Sequence, residues 1–576
     1  MRLIEVRMLE GPNLFRLEPA VKIEVAIEDA AAGSDRARDG ARTGRAGGRR
    51  LGRAIAGANR PPELGPLVEW LRILRGRFGE GRGGILVHRG SDPGHWIVTA
   101  PWRGLERARS IAEAAWDLAT ARPDDLAAAL ERHTRRIHVA RTTPPELLRD
   151  SERQIPIVSI SGTNGKSTVT RLITHILLLA GRHVGTTTSD GVLVDERLID
   201  AGDWTGPGGA HLVLGRSDVE VAVLETARGG ILLRGVGYES NDASVITNIS
   251  ADHLDLQGIH TLAELLEVKS VICRITRPEG WVVLNADDAL VAGVASRVRA
   301  SVAFFSLTDG VTGASPLLRT HLAAGGRAYL VRRGRLVEVE GDEVRPIAPI
   351  TDIPITIGGI ARHNVENALA AAGGARAMGA TIEEVADGVR DFAPSPEASP
   401  GRLNLFRVGG RIVIVDFAHN EAGIAAVLAV AEGIAAGGAG RAAPITAIIG
   451  TAGDRPDDTL RGIARIAAKR AQRVAVKETL KYLRGRSRES IVGELLAGVK
   501  EAGMATSDVP IYESETAALK AELADSGARP RVVVLLCHEE REEVFELLES
   551  LGARPIDVAT ELASLVPRFE ERPRRH

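Results

Sequence analysis

The sequence predicts an α/β protein of three domains, and three observations carry this prediction. The chain has 576 residues, which is too long for a single hydrophobic core. From Ile155 onward, short apolar runs alternate with loops and helix-like segments, as in a mostly parallel sheet covered by helices. A second alternation of this kind follows the proline-rich segment 392–402, which we interpret as a linker. We therefore expect domains at 1–145, 146–398 and 399–576.

The first region, 1–145, is predicted to be an α+β unit. It opens with the strand-like runs 3–6 and 21–27. Within it, residues 31–60 carry eight arginines and seven glycines with almost no large apolar residue, which predicts a flexible, solvated loop. No aromatic residues interleave with these arginines, so an RNA-binding arm is not favoured.

The strand candidates of the other two regions are short β-branched or apolar runs separated by helix-like stretches. Those of the central region are 157–160, 219–224, 244–248, 281–285 and 302–305. Those of the C-terminal region are 412–415, 445–449, 474–476 and 532–536. Such runs are typical of parallel strands that are buried on both faces.

Composition excludes several kinds of partner. The charge is nearly balanced, with 73 basic and 75 acidic residues, so we expect no binding to nucleic acid. Two cysteines, Cys273 and Cys537, cannot build a disulfide framework, which favours the reducing cytoplasm. The sequence has neither an N-terminal signal segment nor an apolar run long enough to span a membrane. We therefore expect a cytoplasmic protein without a membrane partner.

Lysine is scarce in this chain. Only eight of the 73 basic residues are lysine, and the rest are arginine. Between Lys22 and Lys469 there are just two, Lys166 and Lys269. A position that keeps lysine in that stretch is a candidate for a role that a guanidinium cannot fill.

A phosphate-binding turn follows the first strand candidate of the central region. The segment 162–168 reads Gly-Thr-Asn-Gly-Lys-Ser-Thr and leads into a helix-like run that ends at Gly181. A strand that delivers a glycine turn onto a helix N-terminus forms an anion site. In a P-loop of this kind, Lys166 reaches the terminal phosphates and the Ser167 hydroxyl ligates Mg²⁺. The usual pattern has glycine at position 160, where this chain has isoleucine.

Polar residues follow two other strand candidates. Glu225 follows 219–224, and His253 comes shortly after 244–248. Open α/β sheets bind ligands beyond the carboxyl ends of their strands, so the two side chains could hold Mg²⁺ against ATP phosphates. Taken alone, each is more often a solvated surface residue. Lys269 lies on a helix-like segment and is either an exposed helical lysine or a functional residue in a chain that otherwise prefers arginine.

Together with further motifs in the same order, these residues resemble the Mur ligase family of ATP-dependent amino-acid ligases. The motifs are GTNGKST (162–168), LETARGG (224–230), TNISADHLD (247–255), VKS (268–270), NADD (285–288), ARHNVENALAA (361–371), PGRLNLF (400–406) and VIVDFAHN (413–420). Five segments resemble the cyanophycin synthetase branch of that family: IEVRMLEGPNLF (4–15), TTTSDGVLV (186–194), GDWTGP (202–207), ETARGGILLRG (225–235) and LRGR (483–486). The resemblance implies a central P-loop-type domain that binds ATP and a Rossmann-like C-terminal domain.

The resemblance also implies roles for particular residues. The ATP phosphates would lie on Gly162, Thr163, Asn164, Gly165, Lys166, Ser167 and Thr168. Ser167 and Glu225 would hold one Mg²⁺. His253 would ligate a second Mg²⁺ together with Lys269, which would be carbamylated; with Lys166, these two would be the catalytic residues. Asn367 would contact adenine, and Arg402 and Asp416 would close over phosphate and ribose.

The implied reaction is amide-bond formation between a small-molecule or peptide carboxylate and an amino acid, through an acyl phosphate. The basic segment 477–488, with Lys477, Lys481 and Arg484, either recognises an acidic amino acid or forms a solvated helix face. Full cyanophycin synthetases carry an ATP-grasp domain before the Mur-like part, and here about fifteen residues stand in its place. A second type of addition would then need a separate ATP-grasp partner enzyme.

Two alternatives to this interpretation stay open at the level of sequence. One is a non-catalytic ATP-binding partner subunit of a peptide-synthesis complex. The other is a folylpolyglutamate-type ligase, which should lack the 186–194 and 202–207 loops. The sequence is also compatible with a homo-oligomer.

Overall fold

The computed structural model describes residues 1–27, 51–55, 60–81, 83–252, 254–437, 442–524 and 531–565. Within these ranges the chain forms three sheets with helices packed around them. This is the predicted α/β fold, in which the two larger sheets are mostly parallel. No helix in the described ranges has the length and apolarity needed to cross a membrane.

The N-terminal sheet is antiparallel, with strand order β1-β2-β4-β3. Its strands are β1 (Arg2–Leu9), β2 (Ala20–Ala26), β3 (Leu86–Arg89) and β4 (His95–Pro101). The helices of this unit are α1 (Gly65–Arg77), α2 (Leu105–Thr120) and α3 (Leu126–Val139). Apolar residues of the strands and helices share one buried core, which includes Ile23, Leu71 and Ile111. The predicted α+β character of this region is confirmed.

The segment that follows β1 docks on the central sheet. Leu14 is 2% exposed and belongs to the core of that sheet, not to the N-terminal core. The Glu10 N–H donates to the Arg234 carbonyl at 2.7 Å, and the Val236 N–H donates to the Pro12 carbonyl at 2.7 Å. The N-terminal unit is therefore joined to the central sheet by both backbone hydrogen bonds and apolar packing.

The predicted solvated loop 31–60 is described only in part. Residues 28–50 and 56–59 lie outside the described ranges. Part of 51–55 is held in place, which differs from the prediction: Leu51 lies against the core of the central sheet, and the Ile55 N–H donates to the Val87 carbonyl at 2.8 Å. Leu51 and Ile55 are half-buried apolar residues in an arginine-rich run, whereas Arg53 and Ala54 between them are exposed.

The central sheet has eleven described strands in the order β15-β14-β13-β12-β11-β10-β5-β9-β6-β7-β8. The seven from β13 to β6 are parallel, and antiparallel strands extend both edges. The strands are β5 (Ile157–Ser161), β6 (Val184–Thr187), β7 (Gly191–Val194), β8 (Arg197–Ala201), β9 (Val221–Glu225), β10 (Asn241–Ile246), β11 (Thr276–Asn285), β12 (Ser301–Ser306), β13 (Arg327–Arg332), β14 (Arg335–Glu340) and β15 (Glu343–Pro349). All five strands predicted for this region are present.

Helices cover both faces of the central sheet. They are α4 (Lys166–Leu179), α5 (Pro207–Leu214), α6 (Arg228–Leu233), α7 (Leu262–Lys269), α8 (Val271–Arg274), α9 (Ala289–Ala292), α10 (Pro316–Ala323), α11 (Arg362–Ala377) and α12 (Ile382–Asp391). Two separate apolar cores lie against the sheet, as expected for parallel strands that are buried on both sides.

The C-terminal sheet has the order β20-β19-β18-β21-β17-β16-β22, in which the five strands from β20 to β17 are parallel. The strands are β16 (Asn404–Val408), β17 (Arg411–Asp416), β18 (Ile445–Ile449), β19 (Arg473–Lys477), β20 (Ile511–Tyr512), β21 (Arg531–Leu536) and β22 (Arg554–Pro555). The helices are α13 (Glu421–Ala436), α14 (Asp457–Arg470), α15 (Arg488–Glu501), α16 (Glu515–Ala524), α17 (Arg541–Ser550) and α18 (Val558–Leu565). The four strands predicted here correspond to β17, β18, β19 and β21.

Candidate active site

A cavity of about 1060 Å³ lies between the two larger sheets. Its wall is built from residues that follow β5, β9 and β10 of the central sheet and β17, β18 and β21 of the C-terminal sheet. Open α/β sheets bind ligands beyond the carboxyl ends of their strands, and here two such edges face each other. The volume lies at the upper end of the roughly 300–1,000 Å³ that is typical of small-molecule pockets.

The cavity gathers most of the predicted site residues. Those that line it are Thr163, Asn164, Gly165, Lys166, Ser167, Thr168, Glu225, Lys269, Asn367, Arg402 and Asp416. Gly162 lies directly behind this wall, where its carbonyl accepts a hydrogen bond from Lys269 Nζ at 2.6 Å. His253 lies outside the described residues, so its predicted role stays a prediction.

Two glycines shape the phosphate-binding turn. Gly162 has φ +146°, and a Cβ there would lie 1.9 Å from Thr247 Oγ1. Gly165 has φ +85° and precedes α4, and a Cβ there would lie 2.2 Å from Asn367 Oδ1. Both positions combine a backbone conformation that side chains disfavour with a space that a side chain would fill. The turn can therefore form only with glycine at these two places.

The loop after β10 holds the turn in place. The Thr163 N–H donates to the Asn248 carbonyl at 2.8 Å, and the Asn164 N–H donates to Asn248 Oδ1 at 3.0 Å. Thr247 Oγ1 donates to the Asn164 carbonyl at 2.7 Å. Lys166 Nζ curls back to the Thr163 carbonyl at 3.0 Å, at the N-terminus of α4. An ammonium group and the free N–H groups of a first helical turn make this corner suited to an anion.

Glu225 ends β9 and is 3% exposed. Among the described residues, its Oε2 atom is buried without a hydrogen-bond partner. Burial raises the pKa of the Glu225 carboxyl group, although the positive charges of Lys166 and Arg402 oppose this shift. The buried Ser167 hydroxyl also lines this part of the cavity. A carboxylate and a hydroxyl are the hard oxygen ligands that Mg²⁺ prefers, so these residues fit the predicted ion.

Lys269 is the last residue of α7 and is 5% exposed, which excludes the interpretation as an exposed helical lysine. Burial, together with the nearby charge of Lys166, lowers the pKa of the Lys269 ammonium group to about 7. At neutral pH a large fraction of this side chain is therefore an uncharged amine. An uncharged amine is the form that reacts with carbon dioxide.

Asn367 lies on α11 at another part of the wall, where its Nδ2 donates to Asn364 Oδ1 at 2.9 Å. Sequence reasoning missed two neighbours on the same helix that also line the cavity, His363 and Glu366. Burial lowers the pKa of His363 to about 4 and, with the charge of Asp287, raises the pKa of Glu366 to about 7. Both belong to the 361–371 motif and lie within one turn of Asn367, and that spacing is the signal that could have found them.

Arg402 and Asp416 form the opposite wall. Arg402 Nη2 lies 3.2 Å from Ser189 Oγ, and its guanidinium carbon lies 4.6 Å from the centre of the Phe417 ring. Asp416 ends β17, and its carboxylate accepts hydrogen bonds from two backbone N–H groups at 2.8 Å, those of Leu403 and Ala418. Burial raises the pKa of Asp416 against the attraction of Arg402.

Further polar contacts join the cavity loops of the central sheet to the C-terminal part, and sequence reasoning missed the three that follow. Asn164 and Asn420 exchange two amide hydrogen bonds, at 2.9 and 3.3 Å. Asp252 accepts from Arg455 Nη1 at 2.7 Å. The third contact is between Arg541 Nη1 and Asp190 Oδ1, also at 2.7 Å.

Asp190 lies at a junction of arginine side chains. It also accepts from Arg171 Nη2 at 3.1 Å, from the helix that follows the phosphate-binding turn. Burial alone would raise the pKa of Asp190, but the charges of Arg402, Arg541 and Arg171 outweigh it and hold the pKa below its ordinary value. Asp190 is therefore an anion that ties the central sheet to the C-terminal part.

The residues of the basic segment 477–488 differ in their surroundings, and Lys477 fits neither predicted alternative. Lys477 is fully buried and donates to Glu515 Oε1 at 2.5 Å, so it neither reaches the cavity nor lies on a solvated face. Lys481 is exposed. Arg484 does line the cavity, with Nη1 3.9 Å from an oxygen of Asp454. The other oxygen of Asp454 is buried without a partner among the described residues.

Comparison with known proteins agrees with this architecture. Residues 160–375 match the Mur ligase middle domain, and residues 401–537 match the Mur ligase glutamate ligase domain. Cyanophycin synthetase from Trichormus variabilis is 39% identical over 382 residues, which cover 66% of this chain and 41% of that protein. Cyanophycin synthetase from Crocosphaera subtropica is 35% identical over 445 residues, which cover 77% of this chain and 46% of that protein. The matched region spans less than half the length of these relatives.

Solved structures share the fold. E. coli FolC in complex with DHPP and ADP superposes with a TM-score of 0.50 at 19% identity, covering 69% of this chain and 89% of that chain. A bifunctional folylpolyglutamate synthase/dihydrofolate synthase with Mn, AMPPNP and L-glutamate bound gives a TM-score of 0.51 at 17% identity, covering 68% and 89%. From the two matched domains and the shared α/β fold, we conclude that the chain belongs to the Mur ligase family.

Proposed function

We propose that the chain is an ATP-dependent carboxylate–amine ligase. A carboxylate oxygen attacks the γ-phosphorus of ATP, which forms an acyl phosphate and releases ADP. An amine nitrogen then attacks the acyl carbon, the C–O bond to phosphate breaks, and the nitrogen loses a proton as the amide forms. The observation that carries this proposal is a single cavity that brings Lys166, Glu225 and Lys269 together with Arg402 and Asp416.

Lys166 acts on the transferred phosphoryl group. Its ammonium group lies at the N-terminus of α4, where it is in place before the reaction begins, and preorganised positive charge stabilises charge that develops in a transition state. Ser167 and Glu225 would hold Mg²⁺, with His253 and Lys269 as ligands of a second ion, and the bound metal would neutralise phosphate charge. The unpartnered carboxylate oxygen of Glu225 supports this ligand set.

Lys269 serves as a carbamate. Its neutral amine forms an N–C bond with carbon dioxide and loses a proton, which turns a buried base into an anion. Burial of the side chain and a pKa of about 7 support this step, because an ammonium group cannot react in this way. Arginine cannot replace the lysine, since a guanidinium stays protonated.

The C-terminal wall excludes water from the acyl phosphate. Arg402 lies over the phosphate-binding corner, and Asp416 would meet the ribose. The contacts of Asn420, Arg455 and Arg541 with the central loops support a closed arrangement during the reaction. Water that entered the closed site would hydrolyse the acyl phosphate before the amine could attack.

The two substrates approach from different walls. The carboxylate substrate, a small molecule or a peptide, would lie against the loops that carry Ser189, Asp203 and Thr205, which line the cavity. The amino acid would lie near Asp454 and Arg484, whose opposite charges match an ammonium and a carboxylate. The unpartnered buried oxygen of Asp454 supports this assignment.

The division into domains at 1–145, 146–398 and 399–576 is part of the proposal, and the three separate sheets support it.

A non-catalytic ATP-binding subunit is a weaker alternative. Such a subunit needs a phosphate-binding turn, but it has no use for a buried lysine of low pKa beside a buried carboxylate. Lys269 and Glu225 both line the cavity and are 5% and 3% exposed. Their presence in one site favours chemistry over binding alone.

The test is a ligation assay with the purified chain. Phosphate release from Mg·ATP is measured with a panel of acidic peptides and amino acids, and the amide product is identified by mass spectrometry. We expect phosphate release that needs both substrates and gives one amide per phosphate. Lys166→Ala should bind ATP weakly and form no amide. Unchanged amide formation in that variant would refute the assignment of the active site.

A further inference from the structure

A buried ionic cluster on the C-terminal sheet reaches from behind the cavity to its wall, where its third member, His538, is a lining residue. Lys477 ends β19, and its side chain is 0% exposed. Its ammonium group meets three acceptors, Glu515 Oε1 at 2.5 Å, His538 Nδ1 at 3.0 Å and Thr479 Oγ1 at 3.4 Å. Because an ammonium group has three N–H donors, every donor of Lys477 is used. Neither Lys477 nor Glu515 lines the cavity, so the proposed reaction assigns them no role.

Glu515 organises the turn that follows β21. Its carboxylate accepts hydrogen bonds from the N–H groups of His538 at 2.6 Å and Glu540 at 2.8 Å. It also accepts from the Cys537 thiol at 3.0 Å. An ionised carboxylate that accepts this many hydrogen bonds fixes the backbone around it. The position of His538 is therefore set by Glu515 through the backbone and by Lys477 through the side chain.

The partners of His538 determine which nitrogen carries its proton. Nε2 lies 3.0 Å from the Ala418 carbonyl oxygen, which can only accept, so Nε2 must be the donor. Nδ1 then carries a lone pair, which accepts from Lys477. Burial and the adjacent Lys477 charge lower the pKa of His538 well below its ordinary value, in agreement with a neutral ring. Lys477 thus holds His538 in the tautomer that bonds to Ala418.

Ala418 belongs to the loop 416–420, which lines the cavity and contacts the phosphate-binding turn through Asn420. The His538 ring packs edge-to-face on Phe417, with centroids 5.3 Å apart. The Arg402 guanidinium group makes a cation–π contact with the same Phe417 ring. The same loop holds Asp416 at its start and Asn420, the partner of Asn164, at its end. A shift of the Ala418 carbonyl would therefore move several groups of the cavity wall together.

We propose that Lys477, Glu515 and His538 form a buried brace that positions the loop 416–420 for nucleotide binding. They act as positioning residues through the Ala418 carbonyl and the Phe417 ring. The inference rests on the proposed function in taking ATP as the ligand that meets this loop. Lysine is required at position 477 because its surroundings are tight: a Cβ on Gly450 would lie 2.7 Å from Lys477 Cε.

The same strand and helix provide a matched control. Arg473, at the start of β19, donates to Glu522 near the end of α16 at 2.7 and 2.9 Å. Lys477 and Glu515 bridge the same two elements at their other ends. Arg473→Met therefore removes an ionic bridge between β19 and α16 at the end of the strand that is remote from the loop 416–420.

The experiment compares Mg·ADP affinity, measured by calorimetry, with the KM for ATP and the melting temperature. His538→Phe keeps a ring against Phe417 but leaves the Ala418 carbonyl without its donor, and it should weaken Mg·ADP binding about tenfold and raise the KM for ATP. His538→Gln, whose amide can reach Ala418 and still accept from Lys477, should retain most of the affinity.

Lys477→Met/Glu515→Gln removes both charges together and should lose affinity as His538→Phe does. Arg473→Met should lower the melting temperature only.

The outcomes distinguish a role of the brace in positioning the loop 416–420 from a contribution to folding stability alone. A purely structural brace would reduce the folded fraction, which lowers kcat and leaves the KM for ATP unchanged. His538→Phe with a wild-type Mg·ADP affinity and KM would overturn the brace. If Lys477→Met alone does not fold, the double variant decides, because it leaves no unpaired buried charge. A wild-type chain that binds no Mg·ADP would overturn the proposed function, and this inference with it.

Discussion

At the scale of single residues, three buried or cavity-lining lysines stand out in a chain that otherwise uses arginine. Lys166 and Lys269 line the cavity, and Lys477 braces it from behind. The Nζ atom of each makes a short contact, at 3.0 Å to the Thr163 carbonyl, 2.6 Å to the Gly162 carbonyl and 2.5 Å to Glu515 Oε1 respectively. The two lysines that lie between Lys22 and Lys469 thus both line the cavity.

Substitution of Lys269 gives the sharpest test of the proposed carbamate. Lys269→Arg should be inactive, because arginine keeps the charge but cannot react with carbon dioxide. Lys269→Ala should also be inactive, and formate or acetate at high concentration should restore part of its rate by filling the space of the missing carboxylate. The same anions should do nothing for Lys166→Ala. A fully active Lys269→Arg enzyme would contradict the carbamate.

The pKa of Lys269 also predicts a pH dependence. Burial has lowered this pKa to about 7, so the ammonium form dominates below pH 7 and the reactive amine dominates above it. At a fixed, low concentration of dissolved carbon dioxide, amide formation should fall as the pH drops from about 8 to about 6. Added carbon dioxide should restore activity at the lower pH. Equal rates with and without it at pH 6.5 would count against the prediction.

Sequence reasoning found the cavity residues that carry recognisable spacing and missed those that depend on tertiary contact. Lys166 and Glu225 are visible because a glycine turn or a strand end precedes them. Arg455 and Arg541 have no local signal, since their partners lie more than 200 residues away in sequence. Lys477 was misread for the same reason, because its buried partners Glu515 and His538 lie 38 and 61 residues away in sequence.

At the scale of elements, a glycine with positive φ stands at each end of α4, and only the first belongs to the phosphate-binding turn. Gly165 precedes the helix with φ +85°, and Gly181 follows it with φ +80°. Apolar runs predicted most of the parallel strands, because burial on both faces demands such runs. The parallel strands β6, β13 and β20 and the antiparallel edge strands β7, β8, β14 and β15 were not predicted.

These two glycines provide a paired prediction. Gly165→Ala should abolish ATP turnover, because its Cβ would lie 2.2 Å from Asn367 Oδ1 and distort the turn. Gly181→Ala has the same left-handed backbone but no atom within 4 Å of the new Cβ, so it should cost only about 1–2 kcal/mol in stability. Thermal melting and phosphate release would be measured for both. Loss of turnover in Gly181→Ala at a temperature where it is folded would contradict this reasoning.

At the scale of the whole molecule, the cavity is closed by a few polar contacts between two large sheets. Arg541→Ala removes the bond to Asp190 but leaves that carboxylate near Arg171 and Arg402, so no buried charge is left alone. We expect the variant to admit water and to release more than one phosphate per amide. Arg465→Ala breaks an exposed pair with Glu501 and should keep the wild-type ratio. A ratio of one in Arg541→Ala would show that this contact does not seal the site.

The docking of Leu14 has a consequence for any attempt to take the protein apart. A catalytic fragment that begins near residue 146 would lack this side chain and would carry a hole in the core of its largest sheet. Emptying a buried leucine site typically costs about 2–5 kcal/mol, which is a large share of the stability of a domain. Such a fragment should aggregate or melt early, and a synthetic peptide spanning residues 1–27 should raise its melting temperature. The N-terminal unit thus completes the hydrophobic core of the central sheet. A chimera that exchanges the central domain between relatives should therefore exchange the N-terminal unit with it.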